Sequence, residues 1–365
     1  MNLFPNIEKT YSQDPYNARE AQRLAEFIAF GPLVFQTSRL MVKFGILDHL
    51  RNREMTLQEV VEATGLSNYA VKVLLEASLS IGTVKINLET DKYSITKTGW
   101  FLVTDPATRV NLDFNHDVNY QGFFKMEESL LEGRPAGLEH FGPWPTIYEG
   151  LSSLPEQVQK SWFGFDHFYS DNAFDLALPI VFAGKPGKIM DVGGNTGRFA
   201  QRCVAYDPKV EVTIVDLPQQ IGLMKKATAQ DPNAARIHGF GTNLLDPANQ
   251  FPQDLHPDVI WMSQFLDCFS EPQILSILRR AAEVMDGNTR LLIMETFWDR
   301  QKYEPAAFCL TMTSLYFTVM ANGNSKMYHS DDFTRLVQEA GLQVETIHDG
   351  LGNHGHSIMV CKKIV

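Results

Sequence analysis

IMDVGGNTGRFA, residues 189–200, runs from an apolar strand into an acidic residue, a glycine-rich turn and the first residues of a helix. Gly193, Gly194 and Gly197 let the backbone turn sharply and let a ligand come close with no Cβ in the way. The dinucleotide fingerprint would need glycines at 195 and 198, where the chain has Asn195 and Arg198, and this weighs against a nicotinamide cofactor. The spacing is instead an acidic residue followed by the glycine turn, with Asn195 at the penultimate glycine position. Asparagine tolerates left-handed backbone better than most residues.

Downstream of the turn, strand and helix patterns alternate. VEVTIVDLP, DVIWMSQFL and TRLLIMETF read as strands, EPQILSILRRAAEVM as a helix, and VETIHDGLGNHGHSIMVCKKIV as two closing antiparallel strands. Such alternation implies a doubly wound, mostly parallel sheet with an antiparallel last strand, whose ligands bind at the carboxyl ends of the strands. Asp216 ends the second strand, where a carboxylate can accept both hydroxyls of a ribose. Thr242, Asn243 and Leu244 follow, suited to hydrogen-bond and sandwich an adenine ring.

Upstream, SRLMVKFGILDHLRN has apolar residues at helical spacing, and MTLQEVVEATGLSNYAVKVLLEASLSIG reads as two helices joined at Gly65. Thr56 and Glu59 have the capping-box spacing, Ser67 can cap the next helix, and TVKINLETDKYSITKTG alternates as a hairpin. Three helices and a two-stranded wing make a winged helix-turn-helix pattern. Its second helix offers Asn68 and Lys72 but also Glu76 among mostly apolar residues, which favours burial against a second subunit over reading DNA. The predicted organisation is a winged-helix dimerisation domain over 1–105, helical apart from its wing, linking helices and a pocket segment over 106–180, and a Rossmann-like catalytic domain over 181–365.

DVGGNTGRFA, VTIVDLP and EAGLQVETI, in this order, resemble the motifs of the class I S-adenosylmethionine-dependent O-methyltransferases of the caffeate and hydroxyindole type. The resemblance covers nearly the whole chain. It implies a homodimer formed through the N-terminal domain and S-adenosyl-L-methionine as cofactor. Asp191 and the glycine turn would face the methionine part, Asp216 and Leu217 the ribose, and Asn243 and Leu244 the adenine, with Ser263 completing the set. In the family an aspartate is usual at the Asn243 position.

The family's catalytic segment reads Leu-His-Asp-Trp-Ser, and its histidine takes the proton from the acceptor hydroxyl. Here LDCFSE puts Asp267 at the histidine position, Cys268 at the aspartate and Phe269 at the tryptophan. An ordinary aspartate near 3.9 faces a phenol near 10 across about 6 pKa units, or roughly 8 kcal/mol, against roughly 5 kcal/mol for histidine. Burial among apolar groups could narrow the gap. Asp267 is therefore read as a tuned base, as a group orienting a more acidic or a cationic acceptor, or as a cap for the helix beginning near Glu271. Glu295 matches the glutamate that orients the family's histidine, and it could share a proton with Asp267. The family's second glutamate has no clear counterpart in GNSKMYHSDDF. Among the histidines, His167 in FGFDHFYSDNAF is the preferred replacement base. Phe163, Phe308, Met312 and Tyr316 are the predicted substrate wall, on an apolar acceptor of aromatic size.

The net charge of −11 leaves no general basic surface for nucleic acid. Cys203, Cys268, Cys309 and Cys361 are widely spaced, against a disulfide framework or a zinc site and for a reducing cytoplasm. No apolar run is long enough to span a bilayer. The expected protein is a cytoplasmic methyltransferase acting on the hydroxyl of a small aromatic or polyketide-like molecule. The alternatives are a homologue that binds the cofactor without methylating and, less favoured, a DNA-binding regulator.

Overall fold

The computed structural model describes residues 7–364. The chain divides into two compact units, one of Gln13–Val118 with Lys160–Phe165, the other of Asn119–Gln159 and Asp166–Val365 with the N-terminal residues up to Ser12.

In the first unit the apolar pattern around residue 45 breaks into two helices, Gly31–Lys43 and Ile46–Asn52, because Gly45 adopts φ +71° between them. Leu57–Thr64 starts with the expected capping box: the Thr56 N–H donates to Glu59 Oε2 (2.7 Å), and the Glu59 N–H to Thr56 Oγ1 (3.3 Å). Gly65 ends that helix in left-handed backbone, and Ser67 caps Asn68–Ile81. A short strand β1 (Met55–Thr56) pairs antiparallel with the hairpin of β2 (Val84–Asn87) and β3 (Lys92–Ile95), giving the order β1-β3-β2. Met41, Ile46, Leu47, Leu50, Val71 and Leu75 form the core. The segment Lys160–Phe165 joins through Ser161 Oγ, which donates to Asp117 (2.6 Å), and Phe165, which stacks on Phe114.

The second unit is built on seven strands: β4 (Lys188–Val192), β5 (Glu211–Asp216), β6 (Ile237–Gly241), β7 (Val259–Ser263), β8 (Arg290–Glu295), β9 (Leu342–Leu351) and β10 (His356–Lys363). Their order is β6-β5-β4-β7-β8-β10-β9, with β10 antiparallel to both neighbours and the first five parallel. Period-two alternation sends Met190, Ile260, Leu291 and Ile293 to one face, against Ile274, Ile277 and Leu278. Ile189, Val259, Leu292 and Met294 go to the other, against Phe199, Cys203 and Val204. Both faces are covered, as a parallel sheet requires. The order reverses at β4, so the ends of β4 and β7 form the crevice where such sheets bind ligands. At the N-terminus, Ile7 is buried and Glu8 pairs with His329 (2.8 Å). Among the described residues no helix is long and apolar enough to cross a membrane.

Candidate active site

The glycine turn leaves β4 with Gly193 at φ +75° and Gly197 at φ +85°, and Asn195 accepts a left-handed φ of +50°. A Cβ on Gly193 would stand 2.4 Å from the Phe265 ring, and one on Gly194 would stand 2.6 Å from Asp191 Oδ2. The turn is thus pressed between the loop after β7 and its own acidic residue. Asp191 is buried, and its Oδ2 has no hydrogen-bond partner. Burial, and then repulsion from Asp216, lift its carboxyl to about 7. Asp216 accepts from the Asn195 N–H (2.9 Å) and the Leu217 N–H (2.7 Å), one on each oxygen. Each carboxylate oxygen has a second lone pair, so two further donors can be held.

Asn243 turns its amide oxygen to the Leu245 N–H (3.0 Å), an Asx turn that fixes the backbone of this loop rather than leaving the amide wholly to a ligand. Leu244 is buried. Its carbonyl accepts from Arg280 Nη2 (2.5 Å), while Nη1 of the same guanidinium reaches the Asn249 carbonyl (2.6 Å). Ser263 stands half-buried at the end of β7. These residues fit S-adenosylmethionine: the unpartnered Asp191 oxygen suits an amine and Asp216 a diol.

Beyond Ser263 the chain bends at Gln264, a non-glycine residue at φ +44°. It then forms one 3-10 turn, Leu266–Cys268. Asp267 in this turn is only 6% exposed. The helix Glu271–Glu283 is capped without it, because the Ser270 N–H and hydroxyl both bond Gln273 Oε1 (2.9 Å each). The capping reading of Asp267 is therefore corrected. Glu295, at the end of β8, has no histidine to orient. Its Oε1 accepts from the Phe265 N–H (3.2 Å) and the Leu266 N–H (3.0 Å), and its buried Oε2 has no partner. Among the described residues, neither Asp267 nor Glu295 has a cation within salt-bridge distance. Burial pushes the Asp267 carboxyl to about 7. Burial and the Asp267 charge push Glu295 well above the ordinary carboxylate range. The Asp267 charge is thus felt at Glu295, while Glu295 Oε2 makes no hydrogen bond to it.

His167 turns its Nδ1 to the Arg198 guanidinium (3.4 Å) at the start of the helix after the glycine turn. Its neighbour Asp166, like it in the helix Glu156–Ser170, bears with its charge on Asp267. Of the predicted wall, Tyr316 is buried, whereas Phe308 and Met312 lie on the exposed side of the helix Glu304–Tyr316, 53% and 46% exposed. Phe163 belongs to the other unit, edge-on to Trp162.

The sequence reading missed the residues that hold the loop. Asn322 Nδ2 donates to the Cys268 carbonyl (2.5 Å) and the Tyr328 hydroxyl to the Phe269 carbonyl (2.6 Å). Arg280 carried a signal, a charge on the apolar side of a helix. Asn322 and Tyr328 carried none.

Residues 22–93 match the Dimerisation2-like domain, and residues 182–343 match the O-methyltransferase domain. The chain belongs to the class I S-adenosylmethionine-dependent O-methyltransferase family and is a methyltransferase that uses S-adenosyl-L-methionine. It is similar to the L-tyrosine C(3)-methyltransferase of Streptomyces lavendulae, 21% identical over 92% of each chain. Among solved structures it is similar to the S-adenosylmethionine-dependent methyltransferase SibL, with TM-score 0.69 and 21% identity over 92% of this chain and 98% of that one. A further neighbour is the neocarzinostatin-biosynthesis O-methyltransferase in complex with S-adenosylmethionine and 2-hydroxy-5-methyl naphthoic acid. There the TM-score is 0.62 and identity 20%, over 90% of this chain and 95% of that one. Each is named as a methyltransferase, and nothing among them favours a homologue that binds the cofactor without methylating.

Proposed function

We propose that the protein methylates the hydroxyl of a small aromatic or polyketide-like acceptor, and that the buried pair Asp267 and Glu295 takes the hydroxyl proton. The observation that carries this is the pair itself, two buried carboxyls on the loop that packs on the glycine turn and at the end of β8, with no cation beside them among the described residues. S-adenosylmethionine supplies an electrophilic methyl group, and Asp191, the glycine turn, Asp216, Leu217, Asn243, Leu244 and Ser263 would hold it. An Asp267 carboxyl at about 7 faces a phenol near 10 across about 3 units, or roughly 4 kcal/mol, half the gap of an ordinary aspartate. Glu295 fixes the Asp267 loop through its two backbone bonds and keeps the pair's proton within reach. His167 is placed to position Arg198 beside the turn rather than to serve as the base.

The relatives support the acceptor class, since one is named for tyrosine and another was solved with a naphthoic acid. We further infer a homodimer formed through the N-terminal unit, and a reducing, cytoplasmic location consistent with four free cysteines. Nothing in the acidic charge favours nucleic acid or a membrane as partner.

Titration calorimetry with S-adenosylhomocysteine, followed by a methylation assay over phenols, catechols, carboxylates and amines, tests the reading. Absence of cofactor binding would sink it. For any acceptor that is turned over, Asp267→Asn should lower kcat by about 10²- to 10⁴-fold with cofactor affinity unchanged. Wild-type kcat should rise with pH to a plateau above about 7, because the pair must lose its proton before it can accept one. Unchanged turnover in the variant would remove Asp267 from the chemistry.

A further inference from the structure

The methyl-transfer reading leaves the buried Tyr148 hydroxyl unused. Trp144 is packed against two glycines: a Cβ on Gly142 would stand 2.5 Å from its ring and one on Gly150 would stand 2.4 Å away. This contact, with the buried Ile147, anchors the short helix Ile147–Gly150 and sets the direction of Tyr148. The Tyr148 hydroxyl oxygen is buried and, its weak interaction with the Cys268 thiol apart, makes no hydrogen bond of normal geometry among the described residues. Its neighbours are the Cys268 thiol, Tyr316 and Asp267.

The thiol is a weak partner for a phenol, and it is already turned to Asp267 Oδ1 (Sγ to Oδ1, 3.5 Å). Burial, and then the neighbouring Cys268 and Tyr316, keep the phenol protonated, so Tyr148 offers a donor at any working pH. A buried hydroxyl held by so weak a partner costs stability, which a ligand oxygen at the site would restore. Two groups of opposite sense therefore meet around Cys268: Asp267, which accepts a proton, and Tyr148, which donates a hydrogen bond. An aromatic ring with two neighbouring oxygens matches both, with one hydroxyl giving its proton to Asp267 and the adjacent oxygen accepting from Tyr148.

We propose that Tyr148 is an acceptor-recognition residue, and that the site takes aromatic acceptors with two adjacent oxygen functions, a catechol or an ortho-hydroxy carbonyl. The proposal rests on the methyl-transfer reading, and the test separates the two. With S-adenosylhomocysteine bound, calorimetry compares 2,3-dihydroxynaphthalene with 2-naphthol on the full-length protein. The wild type should bind the diol at least about tenfold more tightly, since a site built to bond an oxygen rejects the analogue lacking it. Tyr148→Phe should erase most of that preference and leave S-adenosylhomocysteine affinity unchanged. A second comparison needs only the wild type: 3-methoxy-2-naphthol, which keeps the accepting oxygen, should bind more tightly than 3-methyl-2-naphthol. Equal affinities in the wild type, or a preference that survives Tyr148→Phe, overturn the assignment while the methyltransferase reading stands. Failure of the wild type to bind S-adenosylhomocysteine overturns both.

Discussion

Asp191 and Asp267 are both carboxyls lifted to about 7, yet the same shift serves opposite ends. On the proposed reading Asp267 would gain basicity towards a phenol's proton, whereas Asp191 would have to lose its proton before holding the amine of the cofactor. In the free protein Asp191 is largely protonated below about pH 7, and ionising it there costs binding free energy. Affinity for S-adenosylhomocysteine should therefore be flat above that pH. Below it, affinity should fall by up to about tenfold per pH unit. Asp191→Asn should bind weakly at all pH values and lose the slope. Calorimetry between pH 5.5 and 8.5 reads this directly, and a slope retained in the variant would assign it to another group. The residue types were legible from the sequence because strand ends and a glycine turn announce themselves. Their protonation was not, because desolvation depends on burial. The pairing of Asp267 with Glu295 needed β7 and β8 to lie side by side, which puts residues 28 apart in sequence at one strand end.

At the scale of elements, the sequence reads best where periodicity and caps act locally. The Thr56 and Glu59 box, Ser67 and Gly65 all sit where local chemistry puts them. So do β4, β5, β7 and β8, whose apolar runs are bounded by polar turns. The segment between Gly122 and Gly150 gave no such signal: it is a succession of short 3-10 and α turns fixed by tertiary packing, as at Trp144. Arg280 is the other long-range element. From the helix Glu271–Glu283 it donates to the carbonyls of Leu244, Asn249 and, at 3.4 Å, Asp246, tying the loop after β6 to the helix before β8. Arg280→Met keeps the apolar stem but strands the buried Leu244 carbonyl and the part-buried Asn249 carbonyl, the buried one worth about 1–3 kcal/mol. The variant should lose roughly 2 kcal/mol of stability, read as a melting temperature a few degrees lower. Its cofactor affinity should weaken too, because Asn243 and Leu244 are no longer held. A lower melting temperature with unchanged affinity would mean that this loop does not bear on the adenine.

For the whole molecule, the test falls on the helix Ala18–Ala29. It is well formed, with Asn17 and Glu20 in a reciprocal capping box, yet none of its residues is buried in the single chain. Leu24, Phe27 and Ile28 make an apolar stripe at i, i+3 and i+4 that is 39%, 40% and 69% exposed, and Phe30 and Leu33 extend it into the next helix. Such a face on a monomer is an association surface or an aggregation hazard. It overlaps the region matching a Dimerisation2-like domain. Each subunit carries −11, so two copies repel at long range and the contact must be held by apolar burial, at about 25 cal/mol per Å². Light scattering should show a dimer that salt strengthens rather than dissolves, since screening weakens the repulsion. Replacing Leu24 and Phe27 together by glutamate buries two charges in that contact and should give a monomer. Its melting temperature should fall only by the dimer's share, because neither side chain is in the chain's own core. A wild type that runs as a monomer at micromolar concentration, or a double variant that stays dimeric, would exclude this helix as the dimer contact.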